Sequence, residues 1–183
     1  ASALLGDRIG DIAVDERVEI AARVRARLHA NERGGAVFVV LEILRARPGE
    51  LHGGADRLRE DALSYVQMRM QFGRALASFQ TMKHKAADML VDVELAKSAA
   101  YYAAAALDEN DPEVPMLASL VKASTSEAYL QTAIHAVQMH GGIGFTWDND
   151  THLWFKRAKS SEILFGDANQ HREKMMQHMG DAQ

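Results

Sequence analysis

Residues 136–147 read AVQMHGGIGFTW, and this stretch decides how the rest of the chain is understood, because three of its residues between 141 and 144 are glycine. Inside a helix each glycine costs about 1 kcal/mol relative to alanine. The cluster therefore ends a helix or lets backbone come close to something else. Reading back from it, Asp111 with Pro112 at the first helical position opens a helix that runs to His140, where the glycines stop it. Reading forward, the loop at 146–150 leads to a helix over 151–164 and a last one from Asp167 to about Met179.

Earlier in the chain the same periodicity recurs. A helix from Glu50 to about Met70 places Leu51, Leu58 and Tyr65 seven apart, with Ala55 and Ala62 between them. The stretch QFGRALAS at 71–78 breaks it, and Ser78 can cap a long helix to about Leu107 with Met82, Ala86, Met89, Val93, Ala96 and Ala103 on its buried face. Residues 15–31 carry Val18, Ala21, Val24 and Leu28 on one stripe, which suits an amphipathic surface helix. With prolines only at 48, 112 and 115 and no sustained alternation, the chain reads as all-α. We expect an antiparallel four-helix bundle over 36–183 with extra helices at both ends, preceded by a segment over 1–35.

Composition narrows the function. A net charge of -4 gives no basic excess for nucleic-acid phosphates or acidic lipids. Absence of cysteine excludes disulfides and thiolate metal sites. The start of the sequence lacks a basic region followed by a sustained apolar stretch, and the apolar run at 36–44 falls short of the roughly 18 residues a membrane span needs. The expectation is a soluble, cytoplasmic protein. Eight histidines raise a metal site, but no Glu-x-x-His pair occurs, His135 and His140 are five apart on a helix, and His171 and His178 stand in a polar tail, so no metal is expected. No serine stands in a nucleophile's context, and the methionines read as core filler.

Two stretches resist a purely structural account: YVQMRMQFGRALASFQ at 65–80 and QMHGGIGF at 138–145. Their content resembles the C-terminal domain of acyl-CoA dehydrogenases, flavoenzymes that desaturate acyl and steroid side-chain thioesters. HGGIGFTW followed by HLWFKRAKSS looks most like actinobacterial enzymes of steroid side-chain breakdown. The resemblance implies that these elements reach FAD held mainly by a neighbouring subunit. Arg69 would offer a fork of donors to the pyrophosphate. Gln71 and Gln80 would add neutral polar contacts, and Phe72 would pack beside the cofactor. Gln138 would bring an amide to the nucleotide, Gly141 and Gly142 would let backbone approach it, and Met139 and His140 complete the set.

The sequence also departs from that family. Its members use a glutamate to remove the proton alpha to the thioester carbonyl, and in most of them it lies in a Tyr-Glu-Gly-Thr loop before the last helix. Here that stretch reads LFGD at 164–167, with Phe165 at the glutamate position and Asp167 at the threonine. Some members place the base in the first bundle helix; Glu42 lies near there, but with Arg45 matched, Leu44 holds the base position. The helical N-terminal and β middle domains of typical members are not recognisable. The resemblance thus implies a subunit or C-terminal portion of an FAD-dependent dehydrogenase that shares FAD and acyl-CoA with a full-length partner, as in a heterotetramer, and has no catalytic residue of its own. The alternative is a helical interaction or scaffold protein that has kept the bundle and no longer binds flavin.

Overall fold

A computed structural model of the chain describes residues 48–181. The expected helix over 15–31, the 1–35 segment, Glu42, Leu44 and Arg45 lie outside the described residues. Among the described residues five α-helices follow one another: α1 (Pro48–Met68), α2 (Gln80–Glu109), α3 (Val114–His140), α4 (Thr151–Ile163) and α5 (Ala168–Asp181). Between α1 and α2 the chain makes a two-residue hairpin, β1 (Met70–Gln71) with β2 (Arg74–Ala75), then a 3-10 turn over Leu76–Ser78.

The all-α bundle expected from periodicity is present, and its organising element is α3. This helix packs against each of the other four. Its sequence has no one-sided stripe: Leu117, Ala118, Val121, Ala128, Tyr129, Ala133, Ala136 and Met139 are buried around it. A helix that is apolar on all sides belongs in a core. Two of its buried hydroxyls are satisfied locally, Thr125 and Ser126 each donating at 2.7 Å to the carbonyls of Val121 and Lys122, whereas those of Tyr129 and Thr132 have no hydrogen-bond partner among the described residues.

From α1, Leu51, Ala55, Leu58, Ala62 and Val66 enter a core shared with Met89 and Val93 of α2 and with Ala158 of α4. Full burial of a side chain such as Leu58 contributes about 1.5–3 kcal/mol. A second cluster, Ala103, Ala106, Leu117 and Val121, closes the far end of the α2–α3 pair. Small residues permit close approach there and along α1, where Gly54 faces Tyr129: a Cβ at Gly54 would lie 3.0 Å from the phenol ring.

Helix ends differ from expectation in instructive ways. Ser78 does not cap α2; Phe79 occupies that position, and the Ser78 hydroxyl donates instead to the Ala75 carbonyl at 2.7 Å, fastening the 3-10 turn. At its other end α2 runs to Glu109, two residues past Leu107, and stops where Asn110 adopts left-handed geometry (φ 56) and donates to the carbonyls of Ala106 and Leu107. Asp111 accepts the Glu113 amide at 2.8 Å, so the chain turns through Pro112 and α3 begins only at Val114, with Pro115 in its first turn. The break expected at 71–78 is made by the hairpin and 3-10 turn, which run from Met70 to Ser78.

Candidate functional site

The two motifs that stood out in the sequence meet at one end of the bundle. Tyr65, in the last turn of α1, stacks on His140, the last residue of α3, with ring centroids 4.3 Å apart and planes at 22°. The Tyr65 hydroxyl also points to the His140 carbonyl at 3.5 Å. His140 is buried, and its Nδ1 donates to the Ala136 carbonyl at 2.8 Å, which fixes the ring. Met139 is likewise buried. These two side chains hold the frame, while Gln138, Gly141 and Gly142 around them are exposed.

Each of the three glycines has a different reason to be there. Gly141 sits at φ 65, ψ −141, a conformation essentially reserved for glycine, and it turns the chain out of α3 into a 3-10 turn over Gly141–Phe145. Gly144 is a packing glycine, because an added Cβ would lie 3.1 Å from the His140 Cβ and 3.3 Å from the Val137 carbonyl oxygen. Gly142 has neither reason: its φ is not in the left-handed region, and a Cβ would meet nothing within 4 Å. The fold does not demand glycine there.

On the α1 side, Arg69 leaves the helix exposed, and its side chain forms no ion pair with any other described residue. Gln71 and Arg74 face one another across the hairpin, whose tip is Phe72–Gly73. Both tip residues have positive φ, 54 and 76, as in a type I′ turn. Phe72 is 87% exposed, edge-on to Phe79 with ring centroids 6.0 Å apart, and the Arg74 guanidinium lies 3.9 Å over the Phe79 ring. Gln80 opens α2, exposed, with its amide 3.4 Å from the His84 imidazole. Arg69, Gln71, Phe72 and Gln80 thus form one exposed group on the hairpin and its flanks. The Tyr65–His140 stack ties the α1 end of this group to the end of α3 that carries Gln138, Gly141 and Gly142.

Sequence reasoning did not find that stack. A half-buried aromatic at a helix end gives no periodic sign that it has a partner 75 residues away.

The α4–α5 turn holds Phe165. It is 44% exposed and lies in the left-handed region at φ 65, followed by Gly166 at φ 104. Asp167 accepts the Gln170 amide at 2.8 Å and caps α5. His171 is not in a polar tail: it is fully buried, and its Nε2 donates to the Phe165 carbonyl at 3.0 Å. Lys122 of α3 is buried too, and its ammonium donates to the carbonyls of Ser161 (3.2 Å) and Glu162 (3.0 Å) at the end of α4. Burial lowers the pKa of both groups, offset at Lys122 by Glu162 and Asp167. No carboxylate stands at the Phe165 position, and a phenyl ring cannot accept a proton.

Among the described residues no group of three His, Asp or Glu side chains could hold a metal ion, and no helix is long and apolar enough to cross a membrane.

The chain resembles known proteins. The family described as acyl-CoA dehydrogenase, C-terminal domain, matches residues 41–180. Acyl-CoA dehydrogenase IpdE2 of Mycobacterium tuberculosis is 38% identical over 112 residues, 61% of this chain and 33% of that protein. Butyryl-CoA dehydrogenase from Megasphaera elsdenii superposes with a TM-score of 0.71 at 26% identity, over 77% of this chain and 37% of that one. The ChsE4-ChsE5 complex from Mycobacterium tuberculosis gives 0.73 at 27% identity, over 78% of this chain and 38% of the matched one. The chain thus spans about a third of the length of IpdE2.

Proposed function

The chain belongs to the acyl-CoA dehydrogenase family, and from that premise we propose that it serves as a non-catalytic subunit or portion that completes an FAD site on a full-length partner. Gly142 carries this reading: it is an exposed glycine that neither backbone nor packing requires, within a turn that does need its other two glycines. An exposed Arg69 without an ion-pair partner among the described residues supports it, because an arginine fork facing solvent is suited to a pyrophosphate.

The residues present fit a dinucleotide. Arg69 would take the pyrophosphate, Gln71, Gln80 and Gln138 would donate or accept neutral hydrogen bonds, and Phe72 would cover an apolar ring. Backbone at Gly141 and Gly142 would approach it closely, with Met139 and His140 holding that backbone in place. Bound FAD supplies the acceptor for a hydride from the β-carbon of an acyl-CoA or steroid side-chain thioester. Proton removal would fall to the partner, since Phe165 occupies the turn where this family usually carries its glutamate. A solved relative described as a complex of two differently named chains supports a heteromeric arrangement, with a heterotetramer in the cytoplasm as its expected form. A bundle kept only as a scaffold would have no use for an unoccupied arginine fork and an open glycine.

The deciding experiment is co-expression of the chain with candidate full-length acyl-CoA dehydrogenase subunits, followed by an absorption spectrum of the purified complex. A yellow complex whose flavin is lost on Arg69→Ala, with assembly intact, is the expected result. Replacing that charge-assisted contact would cost about 1.5–3 kcal/mol. Unchanged flavin occupancy in the Arg69→Ala complex would remove Arg69 from the site, and assembly without any flavin would favour the scaffold.

A further inference from the structure

The α4–α5 turn is held in an unfavourable backbone shape by polar groups, two of them buried. Phe165 is a non-glycine residue at φ 65 and Gly166 follows at φ 104; left-handed geometry costs an L-residue roughly 1–2 kcal/mol. Such a conformation persists only where its surroundings over-determine it. Here the restraints are the His171 imidazole on the Phe165 carbonyl, the Lys122 ammonium on the carbonyls of Ser161 and Glu162, and Asp167 capping α5.

Because a carbonyl only accepts, His171 must carry its proton on Nε2. Its Nδ1 is buried with no hydrogen-bond partner. We propose that His171 is a pH-sensitive latch: its neutral imidazole holds the Phe165 turn in left-handed form, and protonation releases the turn. A proton added at Nδ1 would create a second buried donor with no acceptor. Full burial of the ring, the largest influence, opposes that charge, with Lys174 on its own helix and Lys122 from α3 acting in the same direction, and it outweighs the Phe165 carbonyl and the one nearby carboxylate, Asp167, which favour the charged ring. Glu127 of α3 does not offset it, being engaged by Arg172 on the outer side of α5. The released turn exposes the imidazolium to water, so proton uptake favours the open form. Three successive apolar side chains, Ile163, Leu164 and Phe165, already exposed at this turn, would then lose their fixed presentation.

Two amides report on the latch directly: Leu164 N–H donates to the Ser160 carbonyl and Gly166 N–H to the Ile163 carbonyl, both at 3.2 Å. Amide hydrogen exchange of the full chain, corrected for the intrinsic pH dependence of exchange, is to be followed between pH 7.5 and 5 with the His171 ring titration recorded by NMR in the same samples. Protection at Leu164 and Gly166 should fall up to about tenfold per pH unit below the ordinary histidine pKa of about 6.5, while amides in the middle of α3 keep theirs. In His171→Gln, whose amide Nε2 can donate to the same carbonyl but does not titrate, the fall should vanish. Protection at Leu164 and Gly166 that stays constant in the wild-type chain overturns the latch, as does a fall that persists unchanged in His171→Gln. Should that variant not fold, the wild-type data still decide, because the loss of protection either begins near pH 6.5 and levels off where the native His171 ring titrates, or does not.

Discussion

The imidazole of His140 lies nearly parallel to the phenol of Tyr65, 4.3 Å between centroids, and this contact joins the last turn of α1 to the last residue of α3 across 75 positions of sequence. It is the point where the hairpin carrying Arg69 and Phe72 is fastened to the turn carrying Gly141 and Gly142. Removing the ring should loosen both. Tyr65→Ala should lower stability by about 2 kcal/mol, below the 3–5 of a fully buried aromatic because Tyr65 is half-buried. Tyr65→Phe keeps the stack and gives up only a 3.5 Å hydrogen bond, so it should cost under about 1 kcal/mol. Urea denaturation midpoints of the two variants check this; equal losses would place the energy in the hydroxyl rather than the stack.

The glycines of the turn separate fold from function. Gly144→Ala should destabilise by about 1 kcal/mol, since its Cβ must push against the Val137 carbonyl oxygen at 3.3 Å and the His140 Cβ at 3.1 Å. Gly142→Ala should change stability by no more than about 0.5 kcal/mol, because its Cβ enters open space. In the complex with a flavin-holding partner the order should invert, with Gly142→Ala releasing flavin more readily. Thermal melts and flavin fluorescence of the same preparations test both halves. A strongly destabilised Gly142→Ala chain would mean that the fold itself needs this glycine.

These cases show what a sequence can and cannot carry. The helices were legible because burial repeats: Leu51, Ala55, Leu58 and Ala62 recur at helical spacing and all are buried. The end of α3 was legible because Gly141 needs a backbone shape that other residues avoid. The helix starts were misplaced where two local devices competed. Ser78 could cap α2 but fastens the preceding turn instead, and Asp111 with Pro112 makes a turn before α3 rather than its first residues. The burial of His171 was invisible, because a lone histidine among polar neighbours on α5 carries no periodic signal that the turn will fold over it. Gly141, Gly142 and Gly144 look alike in sequence, and only geometry assigns them three different roles.

Acid should weaken the fold before it affects most carboxylates. Burial lowers the pKa of His52, His135 and His171 from the ordinary 6.5. The unfolded chain therefore takes up protons near pH 6.5 while the native chain resists them, so stability is greatest above that pH and declines as pH falls toward the native values. Asp92 acts in the opposite sense: burial raises its carboxyl pKa, the native state takes that proton first, and it offsets part of the loss only at more acidic pH. Thermal midpoints should drop between pH 8 and pH 5.5, with the steepest change below 6.5. A flat profile over that interval would mean that these rings reach water in the native state.

The hairpin tip offers a test in which stability and binding should move in opposite directions. Phe72 occupies the first central position of a two-residue turn at φ 54, where asparagine is favoured and a phenylalanine is strained. It recovers little in return, being 87% exposed with one edge contact to Phe79. On folding grounds alone, Phe72→Asn should raise stability by about 0.5–1 kcal/mol. A residue kept against local preference is expected where it serves a site, and the proposed service here is to cover an apolar ring of the dinucleotide. The same substitution should therefore lower flavin retention in the partner complex while assembly is unchanged. Phe72→Tyr, which keeps the ring, should restore retention without the stability gain. Denaturation of the isolated chain and flavin release from the complex give the two readings. If Phe72→Asn is stabilised and holds flavin as well as the parent, the ring has no part in the site. If Phe72→Asn is instead destabilised, the edge contact with Phe79 supports the hairpin more than its geometry suggests, and the strain is offset within the fold.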